Sequence, residues 1–145
     1  MKIIVVGKIK KAYLKEGIDF YVKQIPYKID IIEIEDEKDE FGIKQEGLKI
    51  LDKIDKKDFV VSLVIKGKEL SSEGLAKNLD LWLSQNSNIV FIIGGSHGLS
   101  DEVLNRSDYQ LSFSKMTFPH QLMRLILVEQ LFRACSINLN HPYHK

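Results

Sequence analysis

The 145-residue sequence has one cysteine, Cys135. No disulfide can form within the chain, and a reducing compartment, the cytoplasm, is expected. Long apolar runs are missing too. The longest near the start, residues 3–6, is far too short for a signal-peptide core or a membrane span. The familiar nucleotide fingerprints are absent. Gly94-Gly-Ser-His-Gly98 lacks the G-x-G-x-x-G spacing and follows the fourth expected strand instead of the first, and no Walker lysine motif occurs. His141 and His144 stand three apart in a tail with no carboxylate or cysteine nearby, so no metal site is expected. No Ser-His-Asp arrangement or acidic pair follows from spacing.

What is present suits a single domain spanning residues 1–145. Apolar residues make up 44% and charged residues 28%, enough to bury a core and stay in solution. The net charge of +1 is unevenly placed. Residues 1–28 hold seven lysines against two acids, and residues 29–46 hold eight acids against two lysines. Residues 115–145 hold four basic residues against Glu129 alone. This admits an RNA partner without demanding one. Ordinary solvated faces explain it as well.

Apolar spacing places strands at 2–6, 28–34, 58–65, 89–93 and 109–113. Helices are expected at 13–24, 43–54, 72–84, 101–106 and 122–135, with Ser71 or Ser72 and Ser100 as caps. Residues 66–68, Lys-Gly-Lys, read as a turn and residues 35–40 as a loop. The resulting βαβαβαβαβα order argues for an α/β fold, a three-layer domain on a parallel sheet.

Two loops stand out. The buried-type run Ile89-Val-Phe-Ile-Ile93 ends in Gly94, Gly95 and Gly98, where open α/β sheets place ligands. The segment from Phe113 to His120 keeps Met116, Phe118 and Pro119 where a loop should be polar. It suits a pocket for a flat ring, or a hydrophobic staple at the start of the last helix, with Thr117 a candidate cap. The last helix is apolar nearly all round, so it is buried on more than one side. Either another subunit covers the second side, giving a homodimer, or the helix packs between elements of one chain. The tail Asn140-His-Pro-Tyr-His-Lys145 suits RNA contact, or simple fraying.

Four blocks taken together resemble a known family: Ile92-Ile-Gly-Gly-Ser-His-Gly-Leu99, Leu111-Ser-Phe-Ser-Lys-Met-Thr-Phe-Pro-His120, the Arg124…Glu129-Gln-Leu-Phe-Arg-Ala134 helix, and the tail. The chain resembles, over its whole length, the large-subunit ribosomal RNA pseudouridine N3-methyltransferases of the SPOUT, or α/β-knot, superfamily. The resemblance implies a C-terminal trefoil knot, a homodimer through the last helix, and S-adenosylmethionine as methyl donor. It implies N3 methylation of a pseudouridine in 23S rRNA within the assembled 70S ribosome. By motif, the donor-binding positions are Leu63, Gly94, Gly95, Phe113, Ser114, Lys115, Met116, Thr117 and Phe118. At the acceptor, His144 or Tyr143 is expected as the base with Arg133 close by, the tail acting in its own subunit or reaching over from the other. The rivals are a non-catalytic ribosome-binding dimer that keeps the fold, and a flavodoxin-like nucleotide module.

Overall fold

A computed structural model describes residues 1–145 and shows five parallel strands alternating with five helices. The strands are β1 (Lys2–Val6), β2 (Asp30–Ile34), β3 (Phe59–Glu69), β4 (Ile89–Ile93) and β5 (Tyr109–Ser112). The helices are α1 (Ala12–Gln24), α2 (Ile43–Asp52), α3 (Ser72–Gln85), α4 (Asp101–Arg106) and α5 (His120–Asn138). The sheet order is β2-β1-β4-β3-β5, every pairing parallel. Both serine caps form. Ser71 accepts from the Gly74 N–H at 3.0 Å and Ser100 from the Val103 N–H at 3.3 Å.

Alternation along the strands divides the core in two. Ile3, Val5, Phe91, Ile93 and Val61 face α1, α3 and α5. Ile4, Val6, Val60, Val90 and Ile92 face α2 and α4. β4 is buried at every position because both faces are covered. This is the expected three-layer arrangement.

Two expectations are corrected, and a third, the cover of α5, is narrowed. Residues 66–68 are not a turn, because β3 runs on to Glu69. Its ladder with β5 jumps, so that both Leu63 and Lys68 stand opposite Leu111. Gly67 permits this, since a Cβ there would lie 2.7 Å from the Gln110 carbonyl oxygen. The glycine serves close backbone approach, not a reversal. Thr117 does not cap α5. Pro119 occupies the cap position without a side-chain bond, and its carbonyl accepts from the Met123 N–H at 2.9 Å. Finally, much of the second apolar side of α5 is covered inside one chain, where Leu127, Val128, Leu131 and Phe132 share a cluster with α1 and α3. Apolar surface stays partly open at its N-terminal end, where Leu122 is 36% exposed.

Cys135 lies in that cluster, and burial pushes its thiol up to about 11. At pH 8 its thiolate fraction is about one in a thousand. Iodoacetamide is therefore expected to leave the native protein unmodified under conditions that alkylate the urea-unfolded chain within minutes. Equal rates in the two states, read by intact mass, would contradict the buried placement.

Candidate active site

The carboxyl ends of β3, β4 and β5 open into one cavity of about 850 Å³. Three loops build it. The β3 ladder breaks after Leu63, which exposes Leu63 to Lys66 on one wall. The turn after β4 supplies Gly94, Gly95, Ser96 and Gly98, and the loop after β5 supplies Phe113, Ser114, Met116, Thr117 and Phe118. His120 and Met123, at the start of α5, close the remaining side. The volume sits in the range of cofactor-sized clefts, and much of the lining is apolar.

The glycine turn is tight. The Gly98 N–H donates to the Gly95 carbonyl at 3.1 Å, and Gly98 alone of the three glycines takes a positive φ, +84°. A Cβ on Gly94 would stand 2.7 Å from the Gly98 carbonyl oxygen. The opposite loop is held by its own serines. Ser112 Oγ donates to the Ser114 carbonyl at 3.0 Å, and Ser114 Oγ accepts from the Met116 N–H at 3.0 Å. Eight of the nine donor-binding positions named from the sequence line this cavity, and Lys115, exposed on its loop, does not.

The tail residues gather elsewhere. Arg133 binds Glu129 through Nε at 3.0 Å and lies 4.8 Å over the Tyr143 ring. The Tyr143 hydroxyl donates to Glu129 at 3.0 Å and lies 3.3 Å from the Tyr21 hydroxyl. His144 Nδ1 stands 3.3 Å from Arg133, and Nε2 stands 2.9 Å from Glu73. An arginine only donates, so Nδ1 accepts and the ring proton sits on Nε2, donated to Glu73. Burial, then the bonds to Tyr21 and Glu129, push the Tyr143 phenol well above its ordinary pKa. A phenol in that state is a poor base. None of the three residues lines the cavity of its own chain. Arg133 is thirteen residues along α5 from His120, about 20 Å of helix.

Arg124 has a role at this site that the spacing of the last helix does not reveal. The signal was a lone arginine among apolar neighbours on the last helix. It is 1% exposed, donates to the Gly7 carbonyl at 2.8 Å, and reaches Glu33 at 3.8 Å. Burial holds its guanidinium below the ordinary value, with Glu33 partly offsetting. Arg124 thereby ties the start of α5 to the end of β1, beside the cavity. Arg124→Ala is expected to destabilise the fold by about 3 kcal/mol, since it leaves a hole and an unpaired carbonyl. Arg124→Met, apolar and of similar length, should cost less. Urea midpoints would show this order, and an alanine variant as stable as the parent would refute it.

No three His, Cys, Asp or Glu side chains gather as a metal site would need. No helix is long and apolar enough to cross a membrane. Residues 1–144 match the family model described as "Predicted SPOUT methyltransferase". The chain belongs to this family. Among its relatives is the Ribosomal RNA large subunit methyltransferase H of Clostridioides difficile (strain 630), 55% identical over 157 aligned positions that cover 100% of this chain and 99% of that one. The proteins of the same name from Clostridium novyi (strain NT) and Acholeplasma laidlawii (strain PG-8A) are each 54% identical. The alignments cover 99% and 100% of this chain and 98% and 99% of the relatives. SPOUT membership makes the protein a methyltransferase, and a methyltransferase requires a methyl donor. The glycine turn and the 113–118 loop both line the pocket at the strand ends.

Proposed function

We propose that this SPOUT protein methylates N3 of a pseudouridine in 23S rRNA, in the assembled 70S ribosome, with S-adenosylmethionine as donor. The observation that carries this reading is the cleft between the Gly94–Gly98 turn and the 113–118 loop, in a chain matched end to end by relatives named for rRNA large-subunit methylation. Its residues fit the donor. Gly94 leaves backbone exposed where a side chain would intrude, Leu63, Phe113 and Phe118 offer apolar surface to a purine, and the Ser114 loop presents peptide groups to its edge. Gly95, Met116 and Thr117 complete the enclosure, with Lys115 at the rim. When bound, S-adenosylmethionine supplies a methyl group already activated by its sulfonium. The protein's share is to orient that methyl, exclude water and bring the acceptor nitrogen into line, which is catalysis by positioning.

In this reading the protein works as a cytoplasmic homodimer. Ile65, 48% exposed, and Met116, 73% exposed, lie at the cavity and continue the open apolar end of α5. The 20 Å between cavity and tail supports a tail that acts across the dimer, with His144, Tyr143 and Arg133 of one subunit serving the cavity of the other. Arg133 and His144 would then meet RNA, and Tyr143 would hold them in place. The β5–β3 pairing, which carries the chain from β4 past β3 to the sheet edge, supports the trefoil knot.

The test offers methyl-labelled S-adenosylmethionine with 70S ribosomes, separated subunits or free 23S RNA. Label in 23S RNA from whole ribosomes alone is the expected result. Ribosome binding without label on any substrate would overturn the reading and leave a non-catalytic ribosome-binding dimer.

A further inference from the structure

Next to the large cavity lies a smaller one of about 300 Å³ with no apolar side chain in its lining. It opens at the carboxyl ends of β1 and β2. Lys8 and Lys10 come from the first loop, Glu35 and Asp36 from the second, and His120 and Gln121 from the start of α5. The two cavities share a wall. His120 lines both, and its Nε2 lies 3.2 Å from where a Cβ on Gly7 would stand. Asp36 Oδ1 lies 3.2 Å from where a Cβ on Gly95 would stand, and Gly95 lines the large cavity.

We propose that the small cavity is the acceptor subsite, built for a neutral ring with an N–H and a carbonyl side by side, and that His120 positions that ring against the donor. The proposal rests on the methyl-transfer reading above. Charge selects this ligand class. Two ammonium groups and two carboxylates nearly cancel, so a phosphate would meet as much repulsion as attraction. Such an edge is neutral and pairs one donor with one acceptor. Asp36 accepts from the N1–H of a C-linked uracil ring, and lysine or amide N–H groups donate to the neighbouring carbonyl, which leaves N3 turned to the donor cavity. Gln121 is already oriented for this. Its Oε1 accepts from the Lys10 backbone N–H at 3.0 Å, which leaves its NH₂ to donate. The volume suits one pyrimidine-sized ring and part of its ribose, at the small end of ligand sites. Purine-sized and apolar groups find their match next door. Two cavities one side chain apart are the arrangement that a transfer between two bound molecules requires.

The first experiment is independent of ribosomes. Protein with ¹⁵N-labelled histidine, saturated with S-adenosylhomocysteine, is titrated with the nucleoside pseudouridine. The His120 ring resonances are expected to shift saturably while those of His97 stay fixed. Absence of a shift at His120 would overturn the subsite. The second experiment uses Asp36→Ala, an exposed position, with labelled ribosomes. Its kcat/KM should fall by about tenfold, the loss of one hydrogen bond to a charged group. Its affinity for S-adenosylhomocysteine should stay within twofold of the parent, and Asp36→Asn, which keeps an acceptor oxygen, should recover part of the loss. A loss of S-adenosylhomocysteine affinity instead would assign the small cavity to the amino-acid end of the donor and overturn the proposal. Unlabelled ribosomes with the parent protein would count against the methyl-transfer reading, while the nucleoside titration would still decide the cavity.

Discussion

Gly94→Val is expected to weaken donor binding by about ten- to a hundredfold, and to silence methyl transfer at donor concentrations near the parent's affinity, with the fold retained. The reason is local and steric. A Cβ at this position would stand 2.7 Å from the carbonyl oxygen of Gly98 and 2.8 Å from its carbonyl carbon. Both are backbone atoms of the turn itself, so no flexible side-chain end can swing away. The turn must open, and with it the cavity wall that carries Gly95 and Ser96. Overpacking of this kind costs about 1–3 kcal/mol, a factor on the order of ten to a hundred in donor affinity. Gly98→Ala makes the informative comparison. Gly98 has φ +84°, yet no atom lies within 4 Å of a Cβ there. An alanine meets only backbone strain, about 1–2 kcal/mol, and no collision in the cavity. Titration calorimetry with S-adenosylhomocysteine should rank the parent first, Gly98→Ala second and Gly94→Val last. A Gly94→Val protein that binds within twofold of the parent would remove the turn from the donor site.

The sequence showed most of this site because its two loops break local rules. An all-apolar strand running into glycines, and a loop with Met116 and Phe118 where polar residues belong, are conflicts visible without any partner. Other features depend on contacts that spacing cannot encode. Gly67 reads as a turn, since nothing local says that β5 will pass within reach of its Cα and require the absence of a side chain. Arg124 reads only as a lone arginine on an apolar helix, because only the fold brings the Gly7 carbonyl and Glu33 to it, 117 residues away in the first case. The two-sided apolar character of α5 was legible, but what covers it was not. α1 and α3 cover most of one flank, and apolar surface stays open at the ends, at Leu122 and Leu139. The tail shows the same limit. Its residue types suggested chemistry, but only the geometry shows how far it lies from its own cavity.

That distance leads to the most demanding prediction. At a donor concentration that leaves Gly94→Val inactive, this variant and His144→Ala are expected to restore each other when mixed. The tail cluster of Arg133, Tyr143 and His144 is held on α5 by Glu129 and Glu73, and about 20 Å of helix separates Arg133 from His120 at the cavity. A helix packed between α1 and α3 does not bend through that distance. A tail that takes part in the reaction therefore serves a neighbouring cavity. In a mixed dimer, the subunit carrying His144→Ala has an intact cavity, and the subunit carrying Gly94→Val lends it an intact tail. The other cavity of that dimer stays dead. Random exchange makes half of the dimers mixed, so activity should return to about a quarter of the parent's under a two-fold symmetric assembly. If each tail served its own cavity, the mixed dimer would carry one defect at each site and activity would stay at background. The assay is methyl label in ribosomes after unfolding and refolding the two variants together, with each refolded alone as control. Recovery also requires that subunits pair, so it tests the dimer and the crossed tail at once. Background activity despite mixed dimers seen by native mass spectrometry would sink the crossed arrangement and leave the dimer standing.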